Sequence, residues 1–300
     1  MKKANFFYLL RRGFFGGGGE WASLVNAFKT RVIADGGTLE SESCIRDDVK
    51  YLIQNPEPVA FTGLLNDYSG AAAAYSLRLL DNTYTGDAIV VRRASDNTTQ
   101  SIGFVNNELD TATLESFCSG TDGFVTTWYD QSGNGNDLTQ STAAGQPKIV
   151  SAGTSLGYLE TTQGQSIQLA TSQNIILTNT NYSFFFTAQN FGAEVFGASG
   201  GFFAVAYSGN PSTNISSYIN PSYYKNGSAI GLTWDDMYNA TTSFSQISVL
   251  IRRSGGNTPF NIGFSTGTFN HGRYKEYIIY PNQSVSRTGV ENNIITHYGF

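Results

Sequence analysis

Asp130, Ser132 and Asn134, followed by Gly135, set oxygen-bearing side chains at every second position before a glycine. This is the first half of an oxygen-ligand calcium loop, and it makes the three residues candidate ligands for Ca2+. The twelfth position of such a loop needs an acidic residue, and here it is Ser141. The expected role of Asp130 is therefore to accept hydrogen bonds from loop amides and hold a turn, with no cofactor bound. A second chemistry needs paired carboxyls: cleaving a glycosidic bond with retention uses two of them about 5–5.5 Å apart, as proton donor and nucleophile. Asp235 and Asp236 beside Trp234, Glu194 and Asp130 are the candidates. Neighbours on a strand point to opposite faces, so Asp235 and Asp236 are not expected to face one substrate together. The two histidines, His271 and His297, are too few and scattered for a zinc site. Cys118 has no histidine close in sequence, and Ser132 lacks the strand–elbow–helix setting of a nucleophile.

Sugar binding asks for aromatic faces beside amides and carboxylates. Trp234, Asp235, Asp236, Tyr223, Tyr224 and Asn220 supply those types in predicted loops and form the candidate carbohydrate-binding set. For any one of Trp128, Trp234 or the tyrosines, filling the core is the simpler expectation.

These residues have to be positioned by the stretch Phe124–Gln140. Phe124 to Trp128 alternates large apolar residues with threonine and predicts a strand buried on one face. Asp130 to Asp137 is dense in turn formers, with Asn134-Gly135 the strongest pair, before Leu138 returns to the core. Hydrophobic residues make up 40% of the chain and charged ones only 14%, a balance typical of turn-rich β proteins. A net charge of −5 without a lysine-rich run argues against nucleic acid, and no apolar run is long enough to span a membrane. Cys44 and Cys118 leave a bridge open, although two free buried thiols are expected.

Residues 1–20 carry Phe6, Phe7, Tyr8, Phe14 and Phe15, then four glycines, and cannot bury these rings within themselves. They are expected to form an arm docking on another subunit. Arg11-Arg12 cuts the early apolar run short, and no cleavage site of an export signal follows. Residues 21–58 predict a helical hairpin, with Leu24, Phe28 and Val32 at four-residue steps and Ile45, Val49, Leu52 and Ile53 facing inward. Residues 59–300 predict a mainly β domain. Its strands fall over 71–80, 88–93, 148–150, 166–169, 182–188, 201–207, 217–219, 222–225, 244–251, 260–264 and 272–280, with a helical turn at 110–117 and a closing helix over 284–297. Val290, Ile294 and Ile295 face inward in that helix, and Glu291 lies on its solvated side. Strands this numerous mean a sandwich or jelly roll.

The order Tyr75-Ser76-Leu77-Arg78, Tyr84-Thr85-Gly86, Val91-Arg92-Arg93, Ser116 to Thr121 and Tyr129 to Gln140 resembles the N-terminal half of fungal α-L-arabinofuranosidase B catalytic domains. The resemblance implies a concanavalin A-like jelly-roll β-sandwich. Gly272 to Tyr280 followed by a helix looks like the close of laminin-G-like jelly rolls, and Arg31 to Thr38 like the lead-in of tailed-bacteriophage structural proteins. The enzyme family has a second cysteine where this chain has Gly123, an adjacent cysteine pair, and a Glu-Asn nucleophile motif on a later strand. Here Glu-Asn occurs as Glu291-Asn292, in the predicted closing helix.

The expectation is therefore a non-enzymatic phage virion structural protein, as a head fibre, decoration protein or tail appendage at the virion surface. Its N-terminal arm would dock on other virion proteins, its lectin-like sandwich would bind a host-surface glycan, and the assembly would be a homo-oligomer, a trimer by expectation. A glycoside hydrolase of the arabinofuranosidase type is the alternative.

Overall fold

The computed structural model describes residues 61–161, 167–169, 181–190, 219–231, 233, 236, 239–252, 261–262, 272–281 and 285–300. The chain divides into two units, Met1–Ala60 and Phe61–Phe300, and the described residues all lie in the second. The docking arm and helical hairpin fall outside the described residues, as do Cys44, Glu194, Trp234, Asp235 and His271.

The second unit opens with one helical turn, α1 (Leu64–Asp67), then β1 (Ala73–Ser76), β2 (Ile89–Arg93), β3 (Thr99–Ile102) and a small hairpin of β4 (Phe104–Val105) and β5 (Glu108–Leu109). Helix α2 (Thr111–Phe117), capped by the Asp110 carboxylate accepting from Thr113 N–H, leads into β6 (Gly123–Trp128). Then come β7 (Leu138–Thr139), β8 (Lys148–Ser151), β9 (Thr154–Thr161), β10 (Ile167–Leu169), β11 (Asn181–Asn190), β12 (Ile219–Lys225) and β13 (Ser228–Ile230). β14 (Ser245–Arg252), β15 (Asn261–Ile262), β16 (Gly272–Pro281) and helix α3 (Arg287–Tyr298) complete it. The protein is mainly β, as expected. Fourteen strands form one antiparallel sheet along β13-β12-β14-β11-β16-β9-β8-β6-β7-β10-β15, with β1 added to β16 and the β2–β3 pair to β6.

β16 is the hub. One edge pairs with β11 along its length, from Tyr182 opposite Pro281 to Asn190 opposite Gly272. The other edge is shared end to end. Gly272–Tyr274 face Thr161–Leu159 of β9, and Glu276–Ile279 face Ser76–Ala73 of β1. Against β11, Glu276 faces Thr187 and Tyr274 faces Ala188, so Lys275 is the extra residue of a bulge at the hand-over from β9 to β1.

Both faces of this hub are covered, which accounts for the apolar runs Tyr277–Tyr280 of β16 and Phe184–Phe186 of β11. Phe184, Phe186, Tyr277 and Ile279 enter the main core with Trp128, Tyr75 and Val125. Phe185, Ile278 and Tyr280 enter a second core with Val290 and Ile294 of α3 and Leu64 and Leu65 of α1. Burying one such side chain contributes about 2 kcal/mol. Ser286 caps α3 by accepting from Gly289 N–H, and Gly299, at φ 75°, ends it in the left-handed conformation that glycine adopts without strain. Val290 and Ile294 face inward as expected, and Ile295 is half-buried.

The expectation for Glu291 is corrected. It is buried beneath α3, where Ser248 Oγ donates to it at 2.6 Å and the Arg287 guanidinium pairs with it. It belongs to a polar layer under the helix. In one line across four strands, Ser76, Glu276, Thr187 and Gln246 sit opposite one another, and all four are fully buried.

Candidate functional site

The strand-to-loop stretch read from the sequence is where β6 is tied to β1. Beyond Trp128, the Asp130 carboxylate turns back across the sheet. One oxygen accepts from Ala74 N–H at 2.8 Å and Ser132 N–H at 2.9 Å. The other accepts from Ser132 Oγ–H at 2.8 Å and Asn136 N–H at 3.0 Å. Gln131 extends the tie: its N–H donates to Ala74 O, its Oε1 accepts from Leu80 N–H, and its Nε2 donates to Ser76 O and Arg78 O. Asn134 Nδ2 donates to Ala71 O and Asn136 Nδ2 to Ala72 O. Gly133 and Gly135, at φ 82° and 71°, make the tight turns between these anchors. Asp130, Ser132 and Asn134 do come together, but as a hydrogen-bonded turn. Donors occupy both Asp130 oxygens, and among the described residues no cluster of three or more acidic, histidine or cysteine side chains has metal-site geometry.

Asp137, at the far end of the loop, has a different setting. Its Oδ1 accepts from Asp130 N–H at 2.9 Å. Burial raises its pKa above the ordinary aspartate value; the Asp130 amide opposes that shift and the negative charge of Asp130 adds to it. Two tyrosines stand in the same field. Tyr75 donates to Asn136 O, and burial first, then Asp130 and Asp137, push its hydroxyl far up. Tyr84 donates to Asp87 O and is pushed up to about 12 by burial and then by Asp137, Asp87 and Asp130. Asp137 is thus a half-buried carboxyl that holds its proton to higher pH than an exposed aspartate.

Of the candidate sugar-binding set, the structure describes the side chains of Tyr223, Tyr224 and Asp236. Tyr223 and Tyr224 neighbour each other on β12 and point to opposite faces. Tyr223 is 2% exposed and packs in the main core, so it offers no ring to a ligand. Tyr224 lies half-buried with the Arg287 guanidinium 3.8 Å from its ring centroid. Asn220 is also on β12. Asp236 sits in helical rather than strand backbone, and its Oδ2 accepts from Thr233 N–H and Oγ1–H.

One constellation escaped sequence reasoning. Arg78, just beyond β1, pairs bidentately with Glu276 of β16, Nε to Oε2 at 2.7 Å and Nη2 to Oε1 at 3.0 Å, with Glu276 fully buried. Ser76 Oγ and Tyr298 Oη also donate to this carboxylate. Burial is the largest influence on the Arg78 pKa and lowers it; the Glu276 charge and hydrogen bond, with Tyr298 and Glu108, together outweigh it and raise the value above that of a free arginine. The signal was a charge inside each apolar run, Ser76-Leu77-Arg78-Leu79 and Tyr274-Lys275-Glu276-Tyr277. Cys118, in turn, is buried and free.

Comparison with known proteins places this loop in a family context. Residues 67–214 match the family model described as alpha-L-arabinofuranosidase B, catalytic. The match spans just under half of the chain and includes the whole Asp130–Asp137 loop. Alpha-L-arabinofuranosidase B of Emericella nidulans is 42% identical over 76 residues, which are 25% of this chain and 15% of that enzyme. The alpha-L-arabinofuranosidase of Hypocrea jecorina is 40% identical over 75 residues, again 25% and 15%. The matched segment thus spans about 15% of the length of these relatives. A solved arabinofuranosidase complexed with arabinofuranosyl-alpha-1,2-xylobiose aligns at 16% identity and a TM-score of 0.46, covering 76% of this chain and 63% of that one.

These similarities correct the functional expectation. The chain resembles named fungal hydrolases and a catalytic-domain family, which overturns the assignments to a phage virion structural protein, to a non-enzyme and to a virion-surface location.

Proposed function

We propose that this chain is a glycoside hydrolase of the arabinofuranosidase type, built on a concanavalin-like β-sandwich and acting on α-L-arabinofuranosides. The family match over residues 67–214, with the Asp130–Asp137 loop inside it, carries this reading. The reaction needs one carboxyl that donates a proton to the leaving oxygen and a second that attacks or activates water. Hydrogen bonds and ion pairs already engage Asp130, Glu276 and Glu291. Asp137, inside the matched loop, suits the proton donor, because burial favours its protonated form over the opposing hydrogen bond from the Asp130 amide.

Release of 4-nitrophenol from 4-nitrophenyl α-L-arabinofuranoside tests the proposal directly. Turnover by the full chain is expected, with Asp137→Asn reducing kcat/KM at least ten-fold, a conservative figure for loss of a general acid. A chain that binds arabinose-substituted oligosaccharides but never cleaves them would overturn it.

A further inference from the structure

We infer that the polar layer beneath α3 binds one buried water, held between Thr187 of β11, Gln246 of β14 and Glu276 of β16. The inference is independent of the catalytic proposal. Strand pairing sets the three residues side by side: Glu276 faces Thr187 across β16 and β11, and Thr187 faces Gln246 across β11 and β14. Residues directly opposite one another point to the same side of a sheet. Here it is the side of Phe185 and Ile278, which packs on α3. All three residues are fully buried. Thr187 Oγ1 and Gln246 Oε1 have no hydrogen-bond partner in the protein. Two such atoms on adjacent strands of a folded core point to an ordered water between them.

The hydrogen bonds already made decide what fits. Ser248 Oγ gives its proton to Glu291 at 2.6 Å, so it can only accept from Gln246, whose Nε2 donates to it at 2.7 Å. That fixes the amide, because exchanging Nε2 and Oε1 would set an acceptor against an acceptor. Gln246 Oε1 is left needing a donor, and the Thr187 hydroxyl needs an acceptor. Glu276 Oε2 takes Ser76 Oγ, Arg78 Nε and Tyr298 Oη, whereas Oε1 takes Arg78 Nη2 and keeps a lone pair. A water satisfies all three residues: it donates to Gln246 Oε1 and Glu276 Oε1 and accepts the Thr187 proton. Three bonds is the usual number for a buried water. A cation lacks a counter-charge here, because Arg78 and Arg287 already neutralise Glu276 and Glu291. Through the water, one hydrogen-bonded row crosses the sheet from Arg78 and Glu276 to Gln246, Ser248, Glu291 and Arg287.

A crystal structure of the full chain tests the site. A single density peak about 2.6–3.2 Å from both Thr187 Oγ1 and Gln246 Oε1 is expected. A direct Thr187–Gln246 hydrogen bond with no peak would overturn the proposal. So would a peak ringed by six or more oxygens at about 2.3–2.6 Å, which is a metal ion. Oxygen-17 relaxation dispersion of the water signal counts long-lived internal waters in solution. Thr187→Val combined with Gln246→Met leaves Glu276 as the remaining anchor, and a water held by one bond is not retained. The count is expected to fall by one against the native chain, and an unchanged count in the folded double variant overturns the inference. Where that variant does not fold, the peak in the native chain decides.

Discussion

The Asp130 carboxylate accepts a hydrogen bond from the backbone N–H of Ala74 at 2.8 Å, across 56 residues of sequence. The contact turns a surface loop into a fastening between β6 and β1. Asp130→Asn replaces one of the two acceptor oxygens with a donor facing donors, and the group is 4% exposed. A loss of about 3 kcal/mol is expected in denaturant unfolding, the scale of buried hydrogen bonds to a charged group. The variant should unfold identically with and without added Ca2+, because the structure gives Asp130 a hydrogen-bonding role.

Arg78 and Glu276 should behave as a unit. Arg78→Met leaves a fully buried carboxylate without its partner, and a loss of about 3–5 kcal/mol is expected. Replacing both, as Arg78→Met with Glu276→Leu, should recover much of that loss, since the desolvation penalty goes with the charges. The midpoints of three denaturation curves decide it: a double variant no more stable than the single one would refute the account.

A Cβ atom built on Gly123 stands 2.7 Å from the Cys118 Sγ, close to the separation of about 3 Å across a disulfide. Gly123→Cys should therefore oxidise to a bridge with Cys118, closing a short loop worth about 2 kcal/mol. Mass spectrometry under non-reducing conditions and the melting temperature with and without reductant check both parts. Reductant should lower the melting temperature of the variant alone.

The Asp137 proton gives a sign as well as a magnitude. A donor must be protonated, so the rate falls as pH rises through its pKa. Its raised pKa places that basic limb above the ordinary aspartate range, and Asp137→Asn should remove the limb along with most of the activity. The native fold favours the protonated form, so the neutral amide should leave stability no lower. Thermal unfolding alongside the pH–rate profile separates a catalytic loss from a folding defect.

Much of the site was legible because it is local. The alternation through Trp128, the Asn134-Gly135 turn and the role of Asp130 as an acceptor all follow from residue type at fixed spacing. The same kind of dipeptide, Asn226-Gly227, makes the turn between β12 and β13, with φ of 45° and 80°. The helical turn expected at 110–117 is α2, and the run over 71–80 does contain a strand, β1. Strand β9 was missed because Gly157 interrupts it at φ 70° and few of its residues are buried. Strand β3 was missed because it is a polar edge, with Ile102 its buried residue. For Arg78 and Glu276 a charge inside an apolar run marks each residue, but not that the two are partners. The partnership is made by a pairing across nearly the whole domain, and neither segment alone reveals the other.

The hub position of β16 also bears on how the protein is made. Its partners β1, β9 and β11 leave the ribosome long before it does, and Ala73 must wait for Ile279. Half-synthesised chains therefore hold unpaired strand edges and uncovered aromatic rows, the surfaces by which nascent β proteins stick to one another. Slowing synthesis should not help such a chain fold; emergence of β16 is the event that lets the sheet close, and chaperone demand should peak just before it.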